Sequence, residues 1–123
     1  VARDPDDDDG EAGGGREERI AANLRKGLLE HCVLALLARR DHYGLELADD
    51  LVGRGLTASE GSVYPLLARL RDAGAVETRW ESLDGVRPRR YYALTTTGRE
   101  QLSTFTRVWR QTSDQVDKLL EEI

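Results

Sequence analysis

The side chains of this 123-residue chain with most to offer chemically are hydroxyls and guanidiniums gathered between Ser59 and Arg90. Ser59, Ser62, Tyr64 and Arg69 lie on one face of a stretch whose other face carries Val63, Leu66, Leu67 and Leu70 at helical spacing. Arg87, Arg89 and Arg90 follow further along, contiguous around Pro88. Hydroxyls both donate and accept, and guanidiniums fork onto phosphate oxygens or guanine edges. This is the chemistry of recognition. Catalysis needs a nucleophile beside a base, a carboxylate pair set apart from the charged surface, or a phosphate loop, and the sequence spells none of them, so no enzyme is expected. His31 and His42 stand at no metal-ligand spacing, so neither a metal nor a cofactor is expected. Cys32, between Leu29 and Val33, reads as a small buried hydrophobe with no basic neighbour to activate it.

These groups need elements to hold them. The Val63–Leu70 stripe predicts a helix ended at Ala73-Gly74-Ala75, because glycine tolerates the left-handed turn of a helix C-terminus. Pro65 is comfortable in it only if the regular helix begins near Ser62, with Thr57 to Glu60 as a capping box. Val76–Leu83 and Arg89–Leu94 read as strands joined across Asp84-Gly85, a hairpin signal. Alternation along the second strand turns one of the pairs Arg89/Tyr91 and Arg90/Tyr92 inward. Upstream, Leu29, Cys32, Val33, Leu36 and Leu37 predict a helix over 23–38 with Asn23 as its cap. A shorter helix over 43–52 buries Leu45, Leu47, Ala48 and Leu51 and stops at Gly53 and Gly55. The expected fold is mainly α with a small antiparallel β-hairpin: a winged helix-turn-helix plus a long C-terminal dimerisation helix. That arrangement of helix and arginine-bearing wing points to double-stranded DNA.

The net charge of −5 argues against such a partner until its position is considered. Residues 1–22 hold eight acids against three arginines, which accounts for all of it. Residues 61–110 carry nine arginines against five acids, a local excess that matters within a Debye length of about 10 Å. Residues 1–22, with Asp6 to Asp9 and Gly13 to Gly15, are expected to be a disordered acidic tail, either solvated or folded back over the arginines. Residues 23–95 form the winged domain and 96–123 the dimerisation helix. No apolar run approaches the roughly 20 residues of a membrane span, and a single cysteine suits a reducing, cytoplasmic setting.

Thr97 and Glu100 form a second capping box, and beyond Gly98 nothing breaks a helix of about 25 residues, roughly 38 Å long. Leu102, Phe105, Trp109, Thr112, Val116, Leu119 and Ile123 repeat at spacings of 3 and 4, a heptad seam. Leu102 and Phe105 can rest on the chain's own core, whereas the half beyond Trp109 calls for a second copy. Trp109 reads first as an aromatic knob in that seam. Its other reading is one of two flat walls that, with Phe105 and Thr112, would hold a planar neutral or cationic aromatic effector.

Tyr43 to Ala48, Ser59-Glu60-Gly61-Ser62-Val63-Tyr64-Pro65-Leu66-Leu67, Arg69-Leu70, Gly74-Ala75-Val76 and Arg87-Pro88-Arg89-Arg90-Tyr91-Tyr92-Ala93-Leu94-Thr95 together resemble the PadR-type transcriptional regulators. The resemblance covers about residues 24–100, and the single last helix is similar to the short PadR subfamily. Asp84-Gly85-Val86-Arg87 departs from the doubled glycine usual at the wing tip. It implies a DNA-reading helix at Ser59–Ala73, a wing at Arg87–Tyr92 and a dimer built by the last helix with the first. The resulting expectation is a homodimeric repressor on a pseudo-palindromic operator, with a winged-helix protein–protein adaptor as the alternative. Its candidate DNA contacts are Arg25, Lys26, Tyr43, Ser59, Ser62, Tyr64, Pro65, Arg69, Arg87 and Arg89.

Overall fold

A computed structural model describes residues 12–82, 85 and 87–123. Helices α1 (Ala12–Lys26) and α2 (Leu29–Arg39) precede a two-residue strand β1 (His42–Tyr43) and helix α3 (Gly44–Gly53). Helix α4 (Val63–Asp72), strands β2 (Val76–Glu81) and β3 (Arg89–Leu94), and helix α5 (Thr96–Glu121) complete the order. The strands form one antiparallel sheet with β3 between β1 and β2. The fold is the expected one, a helical domain with a small wing and a long last helix.

The core lies where three apolar helix faces meet the inner side of the sheet. Val33, Leu34 and Leu37 of α2, Leu47 and Leu51 of α3, and Val63 and Leu67 of α4 are fully buried, each leucine contributing about 1.5–3 kcal/mol. Val76, Tyr92 and His42 close it from the sheet side, with His42 Nδ1 2.9 Å from the Arg40 carbonyl. Leu45, expected among them, is exposed. Two residues are about 200° of helix, so burying Leu47 turns Leu45 to the opposite side.

Helix α4 resolves the proline question. Ser59 Oγ accepts from the Gly61 N–H at 3.1 Å and starts a single 3-10 turn over Glu60–Ser62. The regular helix begins at Val63, so Pro65 falls in its first turn, where an N–H has no intrahelical partner to lose. At the other end Gly74 has φ +78°, and the Ala75 N–H reaches back to the Leu70 carbonyl at 2.9 Å. The same turn holds α5. Thr95 Oγ1 donates to the Gly74 carbonyl at 2.6 Å, the Thr95 N–H donates to the Ala75 carbonyl at 3.1 Å, and Thr95 Oγ1 accepts from the Gly98 N–H at 3.0 Å. Helices α4 and α5 therefore share one joint.

Several expectations needed correction. The disorder expected over 1–22 does not extend to residues 12–22, which are helical; Asp6 to Asp9 lie outside the described residues. Gly13 to Gly15 weighed against a helix, yet they occupy its first turns, and the stretch after them is rich in helix formers. The helix expected over 23–38 is two helices broken at Gly27-Leu28, so Asn23 stands inside α1 and caps nothing. The N-terminal boundary of the winged domain at residue 23 thus cuts through α1. The cap of α5 is Thr95, not Thr97. β2 ends at Glu81, two residues earlier than expected, and β1 was not foreseen, since two residues carry no readable period.

Candidate nucleic-acid interface

The outer face of α4 presents Ser62, Tyr64, Pro65 and Arg69 to solvent, with Ser59 at its entry. This follows from the register: burying Val63, Leu66, Leu67 and Leu70 leaves the intervening positions outside. Tyr64 packs its ring beside Gly44 at the start of α3, where a Cβ would stand 3.0 Å from Tyr64 Cε1 and 3.8 Å from Tyr92 Cε1. An alanine at Gly44 would press the tyrosine out of place. Partial burial, reinforced by the carboxylates of Glu60 and Asp49, pushes the Tyr64 phenol pKa up. The hydroxyl therefore stays protonated and can both donate and accept. Glu60 itself is raised by its hydrogen bond to Asp49 and that neighbour's charge.

Arg25 and Lys26, at the end of α1, share a groove with Ser62, Leu66 and Arg69. Lys26 is exposed, while Arg25 is half-buried, ion-paired with Glu18 and 3.4 Å from the Gly55 carbonyl. Its charge already has a partner. By contrast, no carboxylate among the described residues lies within ion-pair distance of Arg69, Arg87 or Arg89.

The wing has two faces, fixed by the pairing Trp80↔Arg90, Thr78↔Tyr92 and Val76↔Leu94 on one side and Glu81↔Arg89 and Arg79↔Tyr91 on the other. Tyr92 is 8% exposed, so its side is the inner one; of the two pairs, Arg90/Tyr92 turns inward. On the outer face Arg89 lies 4.3 Å over the Tyr43 ring, Tyr43 meets Tyr91 edge-on, and Arg79 sits 5.2 Å over Tyr91. Arg79 is held by Asp41 and Glu81. Tyr43 is thus a platform under Arg89, brought there by β1. Arg87 is exposed beside Pro88.

Arg40 was not singled out in the sequence. It grips both Glu46 oxygens at 3.1 Å, while the Tyr43 N–H donates to the same carboxylate at 3.3 Å. Arg40's hydrogen bonds hold the Glu46 carboxyl below the usual carboxylate range. The cluster fixes how α2, β1 and α3 join. A residue 6 positions away is a contact the helical period cannot announce.

Along α5, Leu102 and Phe105 are half-buried, and Leu102 packs on the core. His31 stacks on Phe105 with centroids 4.3 Å apart, and Phe105 on Trp109 at 6.3 Å. Phe105 therefore already has a ring on each side. Trp109 (46%), Val116 (47%), Leu119 and Ile123 are exposed, as is Thr112; Val108 and Leu120, not counted in the seam, widen the stripe. On α1, Ile20 and Leu24 are exposed as well. Burial pushes the Cys32 thiol up, as suits a packing residue. No helix among the described residues is long and apolar enough to cross a membrane, and no group of His, Cys, Asp or Glu among them could hold a metal ion.

Comparison with known proteins gives this geometry a context. A family profile described as the transcriptional regulator PadR-like family matches residues 33–104. The chain is 37% identical to a PadR-like transcriptional regulator of Bacillus cereus whose crystal structure superposes with a TM-score of 0.74, covering 80% of this chain and 96% of that one. A PadR family transcriptional regulator of Eggerthella lenta, 32% identical, covers 91% and 98% with a TM-score of 0.80. An uncharacterised protein of Lysinibacillus sphaericus is 23% identical over 105 residues, 83% of this chain and 96% of its own length.

Proposed function

Because the chain belongs to the PadR-like family of transcriptional regulators, non-enzymatic DNA-binding proteins, we propose that it is a homodimeric repressor that reads a pseudo-palindromic operator through α4. The observation that carries this reading is the exposed Ser62, Tyr64 and Arg69 face of α4, on which Arg69 has no carboxylate partner among the described residues. Tyr64, Ser62 and Arg69 take the base edges, with Ser59 and Pro65 shaping the helix entry. Arg87 and Arg89 hold phosphates on either side of Pro88, Arg89 steered by Tyr43. Lys26 adds a backbone contact; Arg25 acts through the fold of α1 against Gly55 rather than as a free cation.

The two protomers meet through the exposed stripe of α5 from Trp109 to Ile123, with Ile20 and Leu24 of α1 supplying a second apolar strip. A two-fold axis through that seam sets the two reading helices onto major-groove faces about 10–10.5 bp apart or a multiple of it. An adaptor without DNA binding would want an apolar or acidic face on α4, and Ser62, Tyr64 and Arg69 are neither.

Selection of bound duplexes from a random pool at moderate salt is expected to return a two-fold symmetric motif. On the selected duplex, Arg87→Ala or Arg89→Ala should weaken matched and scrambled sequences alike and lower the salt slope by about one each. A loss confined to one base position would remove the phosphate assignment. An effector site follows from the same seam. Trp109 keeps a free ring face, so two indoles across the axis, with Thr112, would clasp a planar neutral or cationic aromatic, Phe105 backing the indole rather than lining the site. In a Trp80→Phe background, quenching of Trp109 emission by such compounds, coupled to release of the duplex, is the expected result. Emission unmoved across a panel of them would dispose of the effector.

A further inference from the structure

The wing's inner face carries an aromatic side chain that the core does not use. Trp80 is 68% exposed, yet it shares a sheet face with Tyr92 and Val76, both buried. One pair further in, Tyr92 lies against Gly44, which also touches Tyr64 of the reading helix. Buried Tyr92 therefore ties the sheet face that carries Trp80 and its cross-strand partner Arg90 to the start of α3, where Tyr64 of α4 also packs. Arg90's guanidinium is 6.0 Å from the Trp80 ring and 5.9 Å from the Tyr92 ring, reaching Thr78 Oγ1 at 3.4 Å. Its Nε is buried with no hydrogen-bond partner among the described residues.

Charge separates the two faces. Glu77 and Glu81 alternate with Thr78 and Trp80, so both β2 carboxylates lie on the outer face, beside Asp41. On the inner face of the paired strands Arg90 is the one charged side chain. On the outer face those carboxylates stand with two guanidiniums, Arg89 and an Arg79 already bound to Asp41 and Glu81; on the inner face of the paired strands a polyanion meets a guanidinium flanked by aromatic rings and no carboxylate.

We propose that the inner face of the wing, through Trp80 and Arg90, is a DNA contact in its own right: the indole packs on the deoxyribose wall of the duplex beside the segment read by α4, and Arg90 donates to a phosphate there. The inference rests on the DNA-binding reading above and adds to it a contact from the wing's inner side, beside the phosphates assigned to Arg87 and Arg89. Minor-groove binders bury apolar side chains against the duplex beside their cationic contacts, and an aromatic ring within about 6 Å of a guanidinium attracts it through the ring's quadrupole.

The test uses the full dimeric chain and its selected duplex, read by fluorescence anisotropy at several salt concentrations. Trp80→Ala is expected to weaken binding about fivefold or more, with Trp80→Phe recovering most of it. Arg90→Ala lowers the salt slope by about one, and Glu77→Gln on the outer face leaves affinity within about twofold. The emission lost between wild type and Trp80→Phe isolates the Trp80 signal, which should be quenched when duplex is added. Wild-type binding with Trp80→Ala within about twofold and Trp80 emission unmoved would overturn the inner-face contact alone. A wild-type chain that binds no duplex would overturn the DNA reading and this inference with it.

Discussion

Gly98→Ala is expected to destabilise the protein by about 3 kcal/mol or more, the range of severe overpacking. A Cβ built on Gly98 would stand 2.1 Å from the Ala75 carbonyl oxygen and 2.6 Å from Leu94 Cδ1. Backbone cannot swing aside as a side chain can, so the start of α5 must part from the α4–β2 turn. Three hydrogen bonds of Thr95 and Gly98 meet in that space. Gly53, also helical but with nothing within 4 Å of a built Cβ, provides the control: Gly53→Ala should be neutral or slightly stabilising. Urea unfolding of both variants checks this, and equal midpoints for Gly98→Ala and wild type would sink it. Because the same joint connects α4 to α5, a surviving Gly98→Ala fraction is also expected to lose operator affinity by misplacing the two reading helices.

Val116→Asp should turn the proposed dimer into a folded monomer and cut affinity for the two-half-site duplex about a hundredfold or more, the scale at which tethered second sites are lost. Val116 is 47% exposed in the protomer, so an aspartate there costs the isolated chain little. At a two-fold seam it places two carboxylates in the middle of an apolar interface, where burying an unpaired charge is prohibitive. Sedimentation and duplex titration check the two halves of the prediction together. A variant that remains dimeric, or that binds the full operator as tightly as wild type, would show that the seam lies elsewhere. Half-site affinity should hardly move, since α4 and the wing are untouched.

The α4 register was legible because Val63, Leu66, Leu67 and Leu70 repeat with the helix, and burying one face decides what the other presents. Pro65 and Gly74 marked its two ends through backbone geometry alone. The hairpin strands were legible from alternation and a turn dipeptide, and the α5 seam from its heptad spacing. All of these are local periods, held within a few residues of chain. Relations with no period were invisible. Arg40's grip on Glu46, the platform that Tyr43 makes for Arg89, and the stack of His31 on Phe105 each join residues whose separation in sequence carries no signal.

Alternation in β3 offered Arg89/Tyr91 or Arg90/Tyr92 to the core and could not choose, because a strand's period is symmetric between its faces. The choice shows only in the packed sheet: His42 of β1 pairs with Tyr92 and both are buried, while Tyr43 pairs with Tyr91 on the other face. The chain's residues alone established a helix with an exposed Ser62, Tyr64 and Arg69 face, an arginine-bearing hairpin and a long apolar stripe on the last helix, since each is written in local spacing. Packing then settled which arginines stay free, which wing face lies beside the reading helix, and how tightly α5 is joined to it, because these depend on distances between segments that sequence order does not encode.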